Sequence, residues 1–304
     1  MHGRRALAAL ITLAPALTLA AGACLGRRAA PTAAPPPADA AVLRVLVWNV
    51  HAGADAQGAD NIERVAARIR AERADVVLLQ ELDRGAVRSR GVDQPATLAR
   101  LTGMHVAFGK SLDFQGGAYG IAVLARWPIA AQATMPLPVD PPQRRSGGLT
   151  TPRVALVAHV AAPAAIGGPL VVVNSHIDAQ RNDHWRRQEA ARLAAIADSL
   201  VDWVSRRGSG TVLVGGDMNS EPGSAAQALL TGGVLRDAWV ECGGAPDDST
   251  AKTYPARAPV KRIDYLYLTR ASSCRAMRTL ADSASDHRSV LVEVVPRGGG
   301  RGGG

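Results

Sequence analysis

The chain is written as short apolar runs that each meet a polar patch, and this pattern limits its fold more than any other feature. Val42–Val47 stops at Trp48-Asn49, Val76–Leu79 at Gln80-Glu81, and Leu170–Val173 at Asn174-Ser175-His176-Ile177-Asp178. Thr211–Val214 runs into Gly216-Asp217-Met218-Asn219, Arg262-Ile263-Asp264-Tyr265 opens the run to Leu268, and Ser285-Asp286-His287 precedes Val290–Val294. Runs this short and this apolar suit strands covered on both faces. The polar residues then stand at the edge of the core, where side chains from several strands can meet.

Strands are also predicted at Val106–Phe108, Ile121–Ala125 and Arg153–Val160. Between the first two runs, Asn61 is placed to cap a helix with Ile62, Val65, Ala66 and Ile69 on one face. That gives a strand-helix-strand unit, which favours a right-handed crossover. A second, longer helix is predicted from Asp183 to Arg206, with Leu193, Ile196, Leu200 and Val204 along its buried side. The expected class is an α/β sandwich with a predominantly β core.

Length and composition bound the rest. At 304 residues the chain holds one large domain or two small ones, and 47% hydrophobic residues suffice for a substantial core although only 4% are aromatic. Residues 1–23 read as a secretory signal: Arg4 and Arg5 precede an apolar run from Ala6 to Ala21 that ends in Ala21-Gly22-Ala23. Cys24 then resembles the lipid-accepting cysteine of bacterial lipoproteins, with Ala21 where those carry Leu. The arginine pair also resembles a twin-arginine signal, which the residues after it fit poorly. Export is expected, to the periplasm, the medium or a bacterial membrane through lipidated Cys24.

Residues 24–41 are Ala- and Pro-rich and suit an extended tether, 42–296 form the folded part, and the Gly-rich tail 297–304 is expected to be disordered. Once Cys24 is processed, Cys242 and Cys274 remain, and an oxidising compartment favours a disulfide between them. The formal charge of +9 falls to +7 without Arg4 and Arg5. Such a chain can attract nucleic acid or an anionic membrane, but its arginines are scattered along the sequence, so charge alone selects no partner.

The patches supply the groups that metal-assisted phosphate chemistry requires. Glu81, delivered by a buried strand, is a natural ligand for a hard cation such as Mg²⁺, and Asn49 can orient it. Gly215 and Gly216 are expected to let the backbone turn sharply before Asp217, and Asp217 and Asn219 share one side if the segment is extended, so that the carboxylate can handle a water while the amide donates to a phosphate oxygen. An Asx turn is the plainer reading of the same residues. His176 and Asp178 repeat the spacing, with His176 suited to donate to developing charge and Asp178 suited to position the loop that follows. His287 needs a carboxylate partner to fix its tautomer. Either Asp286 or Asp264 can serve, and spacing does not choose between them.

In order and spacing these patches resemble the endonuclease/exonuclease/phosphatase superfamily, the deoxyribonuclease I-like fold. Tyr119-Gly120-Ile121-Ala122-Val123-Leu124 and Trp127-Pro128-Ile129 resemble its central signature, and Arg153 sits where relatives often contact phosphate. The resemblance implies a four-layered α/β sandwich, two mixed sheets packed face to face with helices outside. It implies Mg²⁺ or Mn²⁺ held by Glu81 with Asn49 and an Asp such as Asp286. Asp217 and His287, with Asp264, would activate or orient water, while Asn219 and His176 stabilise the phosphate and Arg153, Tyr119 and Asp178 serve the substrate.

A P-loop is excluded because Met104 stands where its first glycine belongs. The chain also has no Gly-x-Ser-x-Gly elbow and no His-Glu-x-x-His zinc helix. The expected function is therefore an exported metal-dependent phosphoesterase, expected to be a monomer, acting on nucleic acid, a phospholipid head group or a small phosphodiester. A non-catalytic phosphate-binding module on the same fold is the alternative.

Overall fold

The computed structural model describes residues 41–55, 57–142, 152–208 and 210–297. The segment expected to be a signal, Cys24 and nearly all of the expected tether and tail lie outside them. In chain order the elements are β1 (Leu43–Asn49), α1 (Ile62–Ala71), β2 (Val76–Arg84), α2 (Gln94–Thr102), β3 (His105–Phe114), β4 (Gly117–Ala125), β5 (Ile129–Leu137) and β6 (Arg153–Val160). They continue as β7 (Leu170–His176), α3 (His184–Ser205), β8 (Thr211–Asp217), α4 (Ala225–Thr231), β9 (Arg236–Asp237), α5 (Ala238–Glu241), β10 (Asp264–Leu268), β11 (Ser272–Leu280) and β12 (Ser289–Pro296).

Two six-stranded mixed sheets result, ordered β11-β12-β1-β2-β4-β3 and β5-β6-β7-β8-β10-β9. Their facing sides bury Val45, Val47, Leu78, Val123, Leu156, Val172, Leu213, Leu266 and Val292 in one central cluster. The alternate residues of the same strands face outward under helices. Leu46, Trp48, Val77 and Leu79 pack with Ile62, Val65 and Ile69 of α1 and Leu98 of α2. Val171, Val173, Val212 and Val214 pack with Leu193, Ile196 and Val204 of α3. Both faces of each central strand are thus buried, which is why the runs are continuously apolar rather than alternating.

This is the four-layered α/β sandwich. Both sheets and all three apolar clusters lie within 43–296, inside one compact unit that runs from residue 36 onward. Cys242, just after α5, is bonded to Cys274 of β11, with Cα atoms 5.2 Å apart. No described helix is long and apolar enough to cross a membrane.

Three strands, β5, β9 and β11, were not legible in the apolar runs. β5 and β11 are outer strands whose residues are mostly exposed or half-exposed, so no long apolar run marks them. Asn61 precedes α1 as expected, but its side chain does not cap it. Instead the amide donates to the carbonyls of Val50 and Ala284, joining the ends of β1 and the segment before β12.

Candidate active site

Strand direction gathers the patches at one edge. β1 and β2 run parallel with Asn49 opposite Gln80, and β7 and β8 run parallel with His176 opposite Asp217. β10 runs against β8 and begins with Asp264 opposite Asp217, while β12, antiparallel to β1, begins just after His287. Four strands therefore end where two begin. The sheets are fastened there by buried amides: Gln80 Nε2 donates to Asn174 Oδ1 at 2.7 Å, and Asn174 Nδ2 donates to the carbonyls of Leu79 and Ala122 at 2.8 Å each.

Asp217 is the hub. It is 1% exposed, and its Oδ2 accepts a hydrogen bond from Asn49 Nδ2 at 3.0 Å while lying 3.6 Å from His176 Nε2 and 3.8 Å from His287 Nε2. The same Asn49 amide donates to Glu81 Oε1 at 3.1 Å. Glu81 reaches this position through a bulge in β2 between Leu79 and Leu82, where its own φ is 59°. A bulge re-aims a strand residue, and the left-handed backbone it needs here is uncommon for Glu.

The two aspartates that spacing could not separate are distinct in space. His287 Nδ1 donates to Asp264 Oδ2 at 2.9 Å, and the Tyr254 ring lies 4.8 Å from the imidazole. Asp264 therefore orients His287. Asp286 is half-buried, accepts from Ser285 Oγ at 3.3 Å and lines the cleft.

Two local expectations are corrected. Gly215 and Gly216 do not form a turn: both lie within β8, and a side chain on Gly216 would collide with the carbonyl of Ser175. Glycine is needed for close approach of β7 and β8. Nor is the segment after Asp217 extended, because Asn219 has φ 43° and its backbone N–H donates to Asp217 Oδ1 at 2.9 Å. The Asx turn is present, and it brings Asn219 to the cleft, where Nδ2 donates to the Ile177 carbonyl at 3.0 Å.

The cleft above these groups has a volume of about 1160 Å³. Its wall carries Arg153, 4% exposed, whose Nε has no hydrogen-bond partner among the described residues, and Tyr119, 5.4 Å from the Arg88 guanidinium. Asp178 sits behind that wall. It is fully buried, its N–H donates to Glu189 Oε2 at 2.6 Å and its Oδ2 accepts from the Gln180 N–H at 3.0 Å. Asp178 is not among the residues that line the cleft, so the substrate role that the resemblance implies for it does not fit its place behind the wall.

Burial sets the electrostatics. It pushes the Asp217 carboxyl up, and the neighbouring Asp264 charge pushes it further. For His287 burial acts downward, but the charges of Asp264, Asp217 and Asp286 outweigh it and raise the imidazole. Asp217, Asp264 and His287 form a buried group whose ligating atoms all lie within 4.8 Å of one another, close enough to hold a divalent cation. Glu81 and Asp286 add carboxylate oxygens on the cleft. Such an oxygen-rich set fits a hard cation.

Glu189 is the residue that the apolar runs and patches did not reveal. It lies on α3, buried, with its carboxyl raised to about 7 by burial. Its place four residues before Leu193 on the helix's buried side was the available signal.

The comparisons with known proteins agree with this geometry. The chain is 29% identical to YbhP, an uncharacterised protein of Escherichia coli K12, over 268 residues that span 83% of this chain and 95% of that one. An endonuclease/exonuclease/phosphatase structure from Beutenbergia cavernae superposes with a TM-score of 0.66 at 27% identity, covering 84% of this chain and 72% of that one. The mannosyl-6-phosphatase Bt3783 of Bacteroides thetaiotaomicron shares the fold, with a TM-score of 0.65 at 18% identity over 83% of this chain and 99% of that one. A profile of the Endonuclease/Exonuclease/phosphatase family matches residues 46–287. The chain belongs to that family, whose enzymes are hydrolases acting on phosphoester bonds.

Proposed function

We propose that the protein is an exported, divalent-metal-dependent phosphoesterase that hydrolyses a phosphodiester, or a phosphomonoester, by in-line attack of water. The observation that carries this reading is the convergence of Asn49, His176 and His287 on one buried carboxylate oxygen of Asp217, with Glu81 and Asp264 one hydrogen bond further out. A pure phosphate-binding module has no use for a buried carboxylate raised towards neutrality.

Asp217, raised but still able to ionise near neutral pH, accepts the proton of the attacking water. His287, kept protonated by Asp264 and Asp217, donates to the phosphate oxygens, and His176 beside it does the same. Asn219, pinned by its turn, is a neutral donor at the same place. Arg153, buried on the cleft wall, binds the phosphate. A divalent ion, Mg²⁺ or Mn²⁺, held by Glu81 with Asn49 and Asp286 would supply positive charge against the phosphate as negative charge develops there.

Arg153, Arg181, Arg186 and Lys261 on the cleft can meet phosphate oxygens, but Glu81, Asp113, Asp183, Asp217, Glu221 and Asp286 line it as well, so the lining does not rank the substrates, and nucleic acid and phospholipid head groups both stand as candidates. Export is supported by the Cys242–Cys274 bond, which suits an oxidising compartment. The test is a metal-titrated screen over plasmid DNA, RNA, sphingomyelin, inositol phosphates and a chromogenic diester, with EDTA as control. EDTA-sensitive turnover of at least one substrate is expected. No turnover at any metal concentration would leave the binding module as the better reading.

A further inference from the structure

We propose that the edge of the sandwich opposite the active cleft is a docking surface for anionic lipid head groups. Strand direction defines this edge as it defines the cleft. β1 and β2 begin here, and β4 and β12 end here: Val45 pairs with Val76, Val76 with Ala125, and Leu43 with Val294. In the other sheet β6 ends where β5 and β7 begin, Val160 pairing with Ile129 and Leu170, and β8 begins beside Leu170 with Thr211. The two sheets share the edge, because Arg126-Trp127-Pro128 leads from β4 into β5 and Thr269-Arg270-Ala271 leads from β10 into β11.

The connections at this edge carry arginines that are far apart in sequence. Arg73 precedes β2, Arg206 and Arg207 follow α3, Arg270 lies between β10 and β11, and Arg297 follows β12; all five are exposed. Arg73, Arg206, Arg270 and Arg297 have no acidic partner among the described residues. The acids nearby are largely engaged: Asp75 is paired with Arg126 at 3.0 Å and Glu293 with Arg44 at 3.5 Å, which leaves Asp202 one turn before Arg206. Two half-buried tryptophans stand among these cations. The Arg207 guanidinium lies 3.8 Å from the Trp203 ring, and the Arg126 guanidinium 6.0 Å from the Trp127 ring. Amphipathic rings in contact with arginines, on a rim that also carries unpaired arginines, match the interfacial zone of a bilayer.

A membrane fits this rim better than nucleic acid because of where the chain arrives. The Ala- and Pro-rich tether joins the fold at the start of β1, on this same edge. The described chain thus enters the fold at the same rim that carries the unpaired arginines and the two tryptophans. The inference is independent of the reaction performed in the cleft.

The experiment uses the compact unit from residue 36 onward, which contains both sheets and all three apolar clusters, so no acyl group at Cys24 contributes. Co-sedimentation is measured with phosphatidylcholine vesicles, with and without phosphatidylglycerol, for the parent and for the combined variant Arg73→Gln, Arg206→Gln, Arg270→Gln, Arg297→Gln. Unchanged thermal unfolding shows that the variant is folded. The parent is expected to favour the anionic vesicles, and the variant to lose that preference by on the order of 10³-fold. Equal binding of the parent to both vesicle types, or a variant that binds as the parent does, overturns the proposal. Retention of duplex DNA by the parent alone, without vesicle binding, also overturns it and assigns the rim to nucleic acid. A single unfolding variant is replaced by Arg270→Gln with Arg297→Gln alone, for which a smaller loss is expected and no loss is again fatal.

Discussion

The two edges of the sandwich are made by the same strands and differ in what they do with polar groups. At the cleft edge Asn49, Gln80, Asn174, His176, Asp217, Asp264 and His287 are all buried, held by hydrogen bonds and close ion pairs to one another and to strand ends. At the opposite edge the charged side chains of Arg73, Arg206, Arg270 and Arg297 extend into solvent. Burial of ionisable groups costs free energy unless partners compensate, and the cost appears at the cleft edge as raised carboxyls on Asp217 and Glu189. Chemistry and stability therefore oppose each other at one end of the molecule and scarcely interact at the other.

The strongest way to break this contrast is at the hub. Asp217→Asn preserves size and most hydrogen-bonding geometry but removes the charge, so turnover of a phosphodiester is expected to fall by roughly 10³-fold or more with thermal stability kept or raised. Turnover within a few-fold of the parent would exclude Asp217 from the reaction. His287→Ala and Asp264→Ala should each cost on the order of 10²-fold or more, and the double variant little beyond the worse single one, because Asp264 acts through the imidazole it orients. Additive losses would mean that Asp264 and His287 do not work as one unit. A smaller effect is expected for Glu81→Gln, which keeps an oxygen but loses the charge. The metal concentration for half-maximal activity should rise about tenfold or more, and an unchanged metal titration would move the cation away from Glu81.

Much of this edge was legible from residue types, and the reason is geometric. Continuous apolar runs define central strands, so Asn49, Glu81, His176 and Asp217, which close such runs, are brought together once the strands are parallel. Outer strands such as β5 and β11 carry no comparable signal. Side-chain roles inside the patches were less legible, because they depend on local backbone: the bulge that turns Glu81 and the left-handed turn at Asn219 leave only weak traces in sequence. The partner of His287 depends on which strand lies across from it, which spacing does not encode. The rim was invisible for a related reason, since its arginines come from connections spread between residues 73 and 297 and meet only when both sheets close.

Glu189 gives the most graded test of the contrast, because it lies behind the cleft wall and can be changed without touching the hub. Its folded carboxyl is raised from 4.5 to about 7, chiefly by burial, with the hydrogen bond from the Asp178 N–H and the charge of Arg153 acting the other way. A carboxyl raised on folding favours the folded state only while protonated. Its contribution is complete below pH 4.5 and is lost as the pH rises through about 7. The loss amounts to at most about 3 kcal/mol. Glu189→Gln keeps an oxygen to accept from Asp178 and has no charge to bury. The variant should unfold at nearly the parent's temperature at pH 4.5 and several degrees above it at pH 8, read by thermal melts at both values. An equal gap at the two pH values would show that packing, not ionisation, separates the two proteins.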